Sequence, residues 1–251
     1  MCKILHKLDA DYQIRNTTMS SADDRNSSSA APTAAIQAEL VQGSPEWLAA
    51  RCGNITASCF GKLAGSGRSG GFSQTAITYM TQVLAERITG VPQDEIQSKY
   101  LEHGQKHEPT ARQLYQWHLN TRYELKQVGF IDHPTVPFCG GSPDCLVGDD
   151  GLLEIKCPYN VHVHLATIES DSTDNRDYIW QMQGNLWITG RKWCDFVSFH
   201  PYVPDSLRFH VVRYERDEDV IDEIQERVIR ALEQVAIRAK NIEQKVRLSH
   251  A

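Results

Sequence analysis

The chain has 251 residues, of which 41% are hydrophobic and 23% charged, and a formal net charge of -6. This is ordinary globular usage, enough for one sizeable core or two small ones. No run of about 18 apolar residues occurs, which excludes a spanning helix, and no apolar segment leads from the N-terminus to a small-residue cleavage site, which argues for the cytoplasm. The acidic balance offers nucleic acid no general attraction, so any DNA contact has to come from a local basic patch or through metal ions.

Residues 16–35, "NTTMSSADDRNSSSAAPTAA", hold almost no large apolar side chain and cannot offset chain entropy by burial. Residues 1–38 are therefore expected to be a disordered leader, with 39–251 forming a single domain. Seven cysteines with no CxxC pair do not make a disulfide framework or a zinc site, so Cys52, Cys59, Cys139, Cys145, Cys157 and Cys194 are expected to be free and partly buried.

Order begins at "GSPEWLAARCGNITAS", where Ser44 is placed to cap a helix that has Pro45 at its first position. Thr56 or Ser58 can start a second, short helix. The loop "GSGRSGG" (65–71) lacks the Gly-Lys-Ser/Thr ending of a phosphate-binding loop, so a nucleotide site is rejected there. Helices are expected over 74–89 and 99–119, with Pro109 kinking the second or restarting it. Strands follow at 123–132, 138–147 and 151–157, helices at 160–169 and 176–189, and strands at 194–201 and 207–214.

Ile221, Ile224, Val228, Leu232 and Val235 recur at spacings of three and four, which predicts a long amphipathic C-terminal helix. Its acidic start and basic end suit the helix dipole and need no functional reason. The order of elements points to an α/β (α+β) domain with a central mixed sheet flanked by helices.

The chemistry concentrates in "SPDCLVGDDGLLEIKCPY" (142–159). Residues two apart share a strand face, so Glu154 and Lys156 project together, as do Ser142 and Asp144 on the partner strand. Two carboxylates held close repel unless a cation lies between them or one is protonated. Hard oxygen ligands suit Mg²⁺ or Mn²⁺. Lys156 then orients or deprotonates a water, or neutralises charge growing on a phosphate. A bare Asp, Glu, Lys triple is more often a solvated hairpin face. The two glycines of "GGSP", which permit close backbone approach, weigh against that reading, as does Cys157-Pro158 stopping the strand. Register sets a condition: a four-residue turn over 148–151 puts Asp144 opposite Ile155 and on the wrong face, so a metal site requires an odd-numbered turn or a bulge.

"SPD", "LEIK" and "CPY" together resemble the PD-(D/E)xK nuclease superfamily, and more narrowly the phage lambda exonuclease family of recombination nucleases. The likeness extends from about 46 to 215 through "WLAARCGNITAS", "EHGQKHEPTARQLY" and "YIWQMQGNLWIT". It implies a restriction-endonuclease-like core in which Glu108, Asp144, Glu154 and the carbonyl of Ile155 bind Mg²⁺, with Lys156 catalytic and Gln181 beside the site. Arg51, Ser58 and Ser142 resemble the pocket for a terminal 5′-phosphate. The implied activity is 5′→3′ digestion of one strand of linear duplex DNA to mononucleotides, leaving a 3′ tail, inside a bacterial host by a phage or prophage product. A homotrimeric ring and a single-strand annealing protein are the implied partners; a ring needs only a basic bore, which reconciles DNA binding with an acidic chain. The family pattern does not include the long leader. His103 and His107, four apart without an HExxH pattern, are expected to be packing or surface residues.

Overall fold

The computed structural model describes residues 36–37, 40–67, 70–93, 99–120 and 122–249. Most of the expected leader lies outside these residues, but Ile36–Gln37 (β1) pair antiparallel with Phe130 and Ile131. Among the described residues no helix is long and apolar enough to cross a membrane.

Helix α1, Pro45–Arg51, starts as its sequence dictates: Ser44 Oγ accepts from the Trp47 N–H, and Pro45 occupies the first turn. After β2 (Ile55–Thr56) comes a 3₁₀ helix, Ala57–Leu63, which begins at Thr56 rather than Ser58 and has no side-chain cap. Ser66 and Phe72 pair across the glycine-rich loop, of which residues 68 and 69 are not described. Helix α2, Gln74–Thr89, runs from a Ser73 cap to Gly90 in the left-handed conformation. Helix α3, Lys99–Leu119, continues through Pro109 as one element and does not restart there.

The two long strands expected at 123–132 and 138–147 are each divided. The first becomes β3 (Leu125–Lys126) and β4 (Phe130–Asp132), and the second becomes β5 (Cys139–Gly141) and β6 (Cys145–Val147). In both cases the chain passes from one sheet to the other at the break. One sheet has the order β1-β4-β5-β2; the other, mixed, has β3-β6-β7-β8-β9, with β7 at Gly151–Lys156, β8 at Trp193–Phe199 and β9 at Phe209–Glu215. Pro143 explains the second break, since it has no N–H to give to a continuing ladder. So the expected central mixed sheet is present, accompanied by a second, smaller sheet.

Strand β7 is central and parallel to β8, and α4 (Val161–Ser170) and α5 (Arg176–Thr189) form the crossover between them. Both faces of the sheet are covered. Leu146, Leu152, Cys194 and Phe196 join a core with the 3₁₀ helix, α2, α5 and α6 (Glu218–Leu248). Leu153, Ile155, Val147 and Val197 join a second core under Ala111, Tyr115 and Leu119 of α3. Burial on both faces makes β7 continuously buried up to Ile155. Helix α6 carries its apolar stripe at the expected positions, and Asp217 caps it by accepting from the N–H groups of Asp219 and Val220. The six cysteines among the described residues are free.

One buried charge ties the layers together. Asp195 of β8 receives Nε and Nη2 of Arg213 at 2.7 and 2.9 Å, and the Tyr115 hydroxyl of α3 at 2.7 Å. Arg213 also lies 3.6 Å from the Trp193 ring. Removing Arg213 strands a carboxylate that is 3% exposed. Arg213→Ala is expected to cost roughly 3 kcal/mol, read as a fall of about 6–12 °C in Tm.

Candidate active site

The hairpin meets the register condition. Cys145 pairs with Leu153, Leu146 with Leu152 and Val147 with Gly151, so the turn is the three residues Gly148, Asp149 and Asp150. Gly148, the first of the three, has φ +53°, a left-handed conformation that glycine adopts without strain. Continued one step, that register sets Asp144 opposite Glu154. The regular ladder ends there: the Asp144 N–H donates to Leu153 O at 3.1 Å, while Asp144 Oδ2 accepts from the Ile155 N–H at 2.6 Å.

Glu154 is 2% exposed, far from the solvated carboxylate of an ordinary hairpin. Its Oε1 accepts from Lys156 Nζ at 2.7 Å and from Gln181 Nε2 at 2.7 Å, and Gln181 Oε1 accepts from Lys156 Nζ at 3.0 Å. Glu154, Lys156 and Gln181 therefore form a closed triangle, with Lys156 Nζ also 4.9 Å from the Tyr178 ring. Helix α5 supplies Tyr178 and Gln181 from one face because they are three apart. Glu154 Oε2 is buried and has no partner.

The electrostatics show crowded negative charge. Burial, then Glu154 and Glu108, push the Asp144 carboxyl well above its ordinary pKa, against the pull of Lys156 and the Ile155 N–H. Burial also raises Glu154, which Lys156 opposes and Glu108 reinforces. Burial disfavours the Lys156 ammonium, but Glu154 and Asp144 outweigh it and hold the pKa above the usual lysine value.

Glu108 is thus near enough to act on both carboxyls, but its carboxylate is bound to Arg112 one turn along α3. Among the described residues no group of three or more His, Cys, Asp or Glu side chains is already gathered about a metal-sized point. The donor chemistry nonetheless fits a hard divalent cation. Burial and neighbouring carboxylates raise the proton affinity of Asp144 and Glu154, and the buried Glu154 Oε2 has no hydrogen-bond partner. Ile155, expected to offer its carbonyl, spends its N–H on Asp144.

The expected phosphate pocket also gathers. Arg51 Nη2 donates to Ser58 Oγ at 3.2 Å, and Thr56 Oγ1 lies 3.3 Å from Ser58 Oγ. The Arg51 guanidinium sits 4.0 Å from the Trp47 ring, whose Nε1 donates to Ser142 Oγ at 3.0 Å. Trp47 is the link that joins Arg51 to Ser142, and sequence reading passed over it. Its spacing of four from Arg51 on a capped helix was the available signal. Arg112, four after Glu108, and Tyr178, three before Gln181, were missed for the same reason.

His103 and His107 do pack, with ring centroids 4.6 Å apart. Both are made less basic, first by burial and then by neighbouring cations and imidazoles.

With this geometry in place, the likeness to known proteins is specific. Residues 46–192, which hold Trp47, Glu108, the hairpin and Gln181, match the YqaJ-like viral recombinase domain. The chain belongs to the YqaJ-like viral recombinase family. This agrees with the lambda exonuclease resemblance of the sequence blocks. Within the family's structural relatives, the alkaline exonuclease (LHK-Exo) of Laribacter hongkongensis is 35% identical, with 81% of this chain and 98% of that one covered and a TM-score of 0.72. Its complex with dAMP gives 36% and 0.73 over the same shares. A phage-related exonuclease from Haemophilus somnus shares the fold at 19% identity, covering 75% of this chain and 96% of that one, with a TM-score of 0.62. An uncharacterized protein of Acanthamoeba polyphaga mimivirus is 24% identical over 188 residues, 67% of this chain, and the chain spans only 32% of its length. The fold is the restriction-endonuclease-like α+β architecture with a long C-terminal helix.

Proposed function

We propose that the protein is a Mg²⁺-dependent exodeoxyribonuclease that digests one strand of linear duplex DNA in the 5′→3′ direction, releasing mononucleotides and leaving a 3′ single-stranded tail for homologous recombination. The observation that carries this reading is the triangle of Glu154, Lys156 and Gln181 beside Asp144, in a chain 35% identical to an alkaline exonuclease.

Asp144, Glu154 and the Ile155 carbonyl are the residues to hold Mg²⁺, or Mn²⁺ in its place, with Glu108 joining when it leaves Arg112. When bound, the ion supplies Lewis-acid polarisation of the scissile phosphate and a lowered pKa for the attacking water. Lys156, held by Glu154 and Gln181, presents a fixed ammonium to the phosphate oxygens and stabilises the charge that grows on them. Gln181 orients both members of the pair. Arg51 and Ser58, with Ser142 positioned by Trp47, receive the terminal 5′-phosphate as a guanidinium and two hydroxyls.

The partners follow from the same reading: duplex DNA ends, two further copies of the chain in a ring, and a single-strand annealing protein, in the cytoplasm of a bacterial host. The pocket distinguishes this from an endonuclease on the same core, since a terminal phosphate exists only at an end. Linear 5′-phosphorylated duplex is expected to be consumed while covalently closed circles survive; efficient cutting of intact circles points to the endonuclease instead. Arg51→Ala is expected to slow digestion of 5′-phosphorylated ends about ten- to a hundred-fold, the worth of a charged hydrogen bond, with little change on 5′-hydroxyl ends. Equal slowing on both ends removes the pocket. If Lys156→Ala leaves DNA behaviour unchanged, the protein is an end-binding module without turnover.

A further inference from the structure

A surface of rings is built by stretches of chain that also carry the candidate site, and it plays no part in the chemistry above. Three separate stretches supply it. Tyr100, His103 and His107 recur at three and four along α3; Tyr159 follows Cys157-Pro158 at the end of β7; His200 and Tyr202 follow β8. The tyrosines are 54%, 43% and 72% exposed at Tyr100, Tyr159 and Tyr202 respectively.

The rings touch in series. Tyr100 and Tyr159 meet edge to face with centroids 5.3 Å apart, and His103 meets Tyr159 at 5.5 Å. His103 and His107 lie 6.2 and 6.0 Å from Tyr202, and His200 lies 5.7 Å from it. The imidazoles, half-buried or buried, form a layer from which the tyrosines project. Such contacts fix the rings at little further entropic cost to a ligand.

Two features specify the occupant. Lys99 Nζ stands 4.8 and 5.3 Å from the Tyr159 and Tyr100 rings, and exposed Lys106 lies on the same helix beside His107, so cations interleave with aromatics on a chain whose net charge is -6. Exposed Glu102 is the acidic side chain of that helix turn. The same stretches of chain carry the candidate site, since Tyr159 is three residues past Lys156 and His107 immediately precedes Glu108. Projecting rings with interspersed lysines suit a single nucleic-acid strand, whose bases stack in any sequence and whose phosphates meet the cations.

We propose that Tyr100, Tyr159 and Tyr202, with Lys99, form a base-stacking platform for the unpaired DNA strand next to the scissile phosphate. The inference rests on the nucleic-acid reading of the adjoining site, and it concerns binding rather than hydrolysis. The test is fluorescence anisotropy of a labelled oligothymidylate with the full chain in EDTA, where no hydrolysis interferes. Tyr159→Ala and Tyr202→Ala are each expected to weaken binding roughly ten-fold, as loss of a stacked base does, while Tyr159→Phe and Tyr202→Phe retain it. On an oligonucleotide of abasic residues, wild type and alanine variants are expected to bind alike. The proposal is overturned if the wild type does not bind the oligothymidylate, or if alanine variants with unchanged circular dichroism bind it as tightly as wild type. It is equally overturned if they lose the same factor on the abasic strand. Wild type that binds through these rings but digests no DNA with Mg²⁺ keeps the platform and removes the nuclease reading.

Discussion

Lys156→Ala is expected to lower the rate of DNA digestion by about 10²- to 10⁴-fold, the range for losing a positioned charged group at a reacting phosphate, with folding retained. The expectation comes from the position of Nζ, which Glu154 Oε1 and Gln181 Oε1 hold at 2.7 and 3.0 Å. The change leaves the Glu154 carboxylate, 2% exposed, without its cation but still held by Gln181, so stability is lowered while the fold is kept. Lys156→Arg is informative beside it. Arginine keeps the charge but spreads it over a planar fork too large for the triangle, and it too is expected to lose most of the activity. Single-turnover rates at saturating Mg²⁺, with circular dichroism as the control for folding, check both. Activity within five-fold of wild type for Lys156→Ala contradicts the assignment.

Gly140→Val is expected to cost roughly 3 kcal/mol or more, read as a Tm lower by at least about 6 °C. A Cβ at Gly140 falls 2.6 Å from the Ile131 carbonyl oxygen and 2.3 Å from Cζ of Phe130, and the first of these is backbone that cannot swing away. Strand β5 pairs with both β4 and β2, so the strain reaches both of its neighbours. Gly141 is as tight, with a Cβ 2.2 Å from Asn185 Oδ1 of α5. Gly140 lets the chain pass close to β4 and Gly141 lets it pass close under α5, just before Ser142 and Asp144, so the stability effect and the site geometry arise in one stretch. Gly140→Ala is expected to show a smaller loss in the same thermal melt; a Gly140→Val melt within 2 °C of wild type contradicts the close approach.

Much of this was legible because local signals coincided. Ser44-Pro45 fixed the start of α1, and the period of Ile221 to Val235 fixed the buried face of α6. The division of 123–132 and 138–147 was not legible, because alternation reveals a strand but not which sheet it joins; only Pro143 marked one of the two breaks. The hairpin was half legible. Strand periodicity could say that Asp144 and Glu154 meet only across an odd-numbered turn or a bulge, while the alternation carries no mark of which of these the chain adopts; the three-residue turn with Gly148 at φ +53° is seen only in the structure. Burial of Glu154 escaped the sequence, since a carboxylate on a hairpin is usually solvated and here the parallel partner β8 and helix α5 cover it. The links through Trp47, Tyr178 and Arg112 follow from helix spacing, yet spacing alone does not say which helix face meets the site.

The Asp144, Glu154, Lys156 and Gln181 cluster is expected to hydrolyse DNA from a 5′ end with a divalent ion. Digestion of a linear duplex, end-labelled on either strand terminus, with Mg²⁺ and with EDTA, tests it most directly. Labelled mononucleotide is expected at once from the 5′ end, after a delay from the 3′ label, and not at all in EDTA. Undiminished digestion in EDTA, or immediate release from the 3′ end, contradicts it.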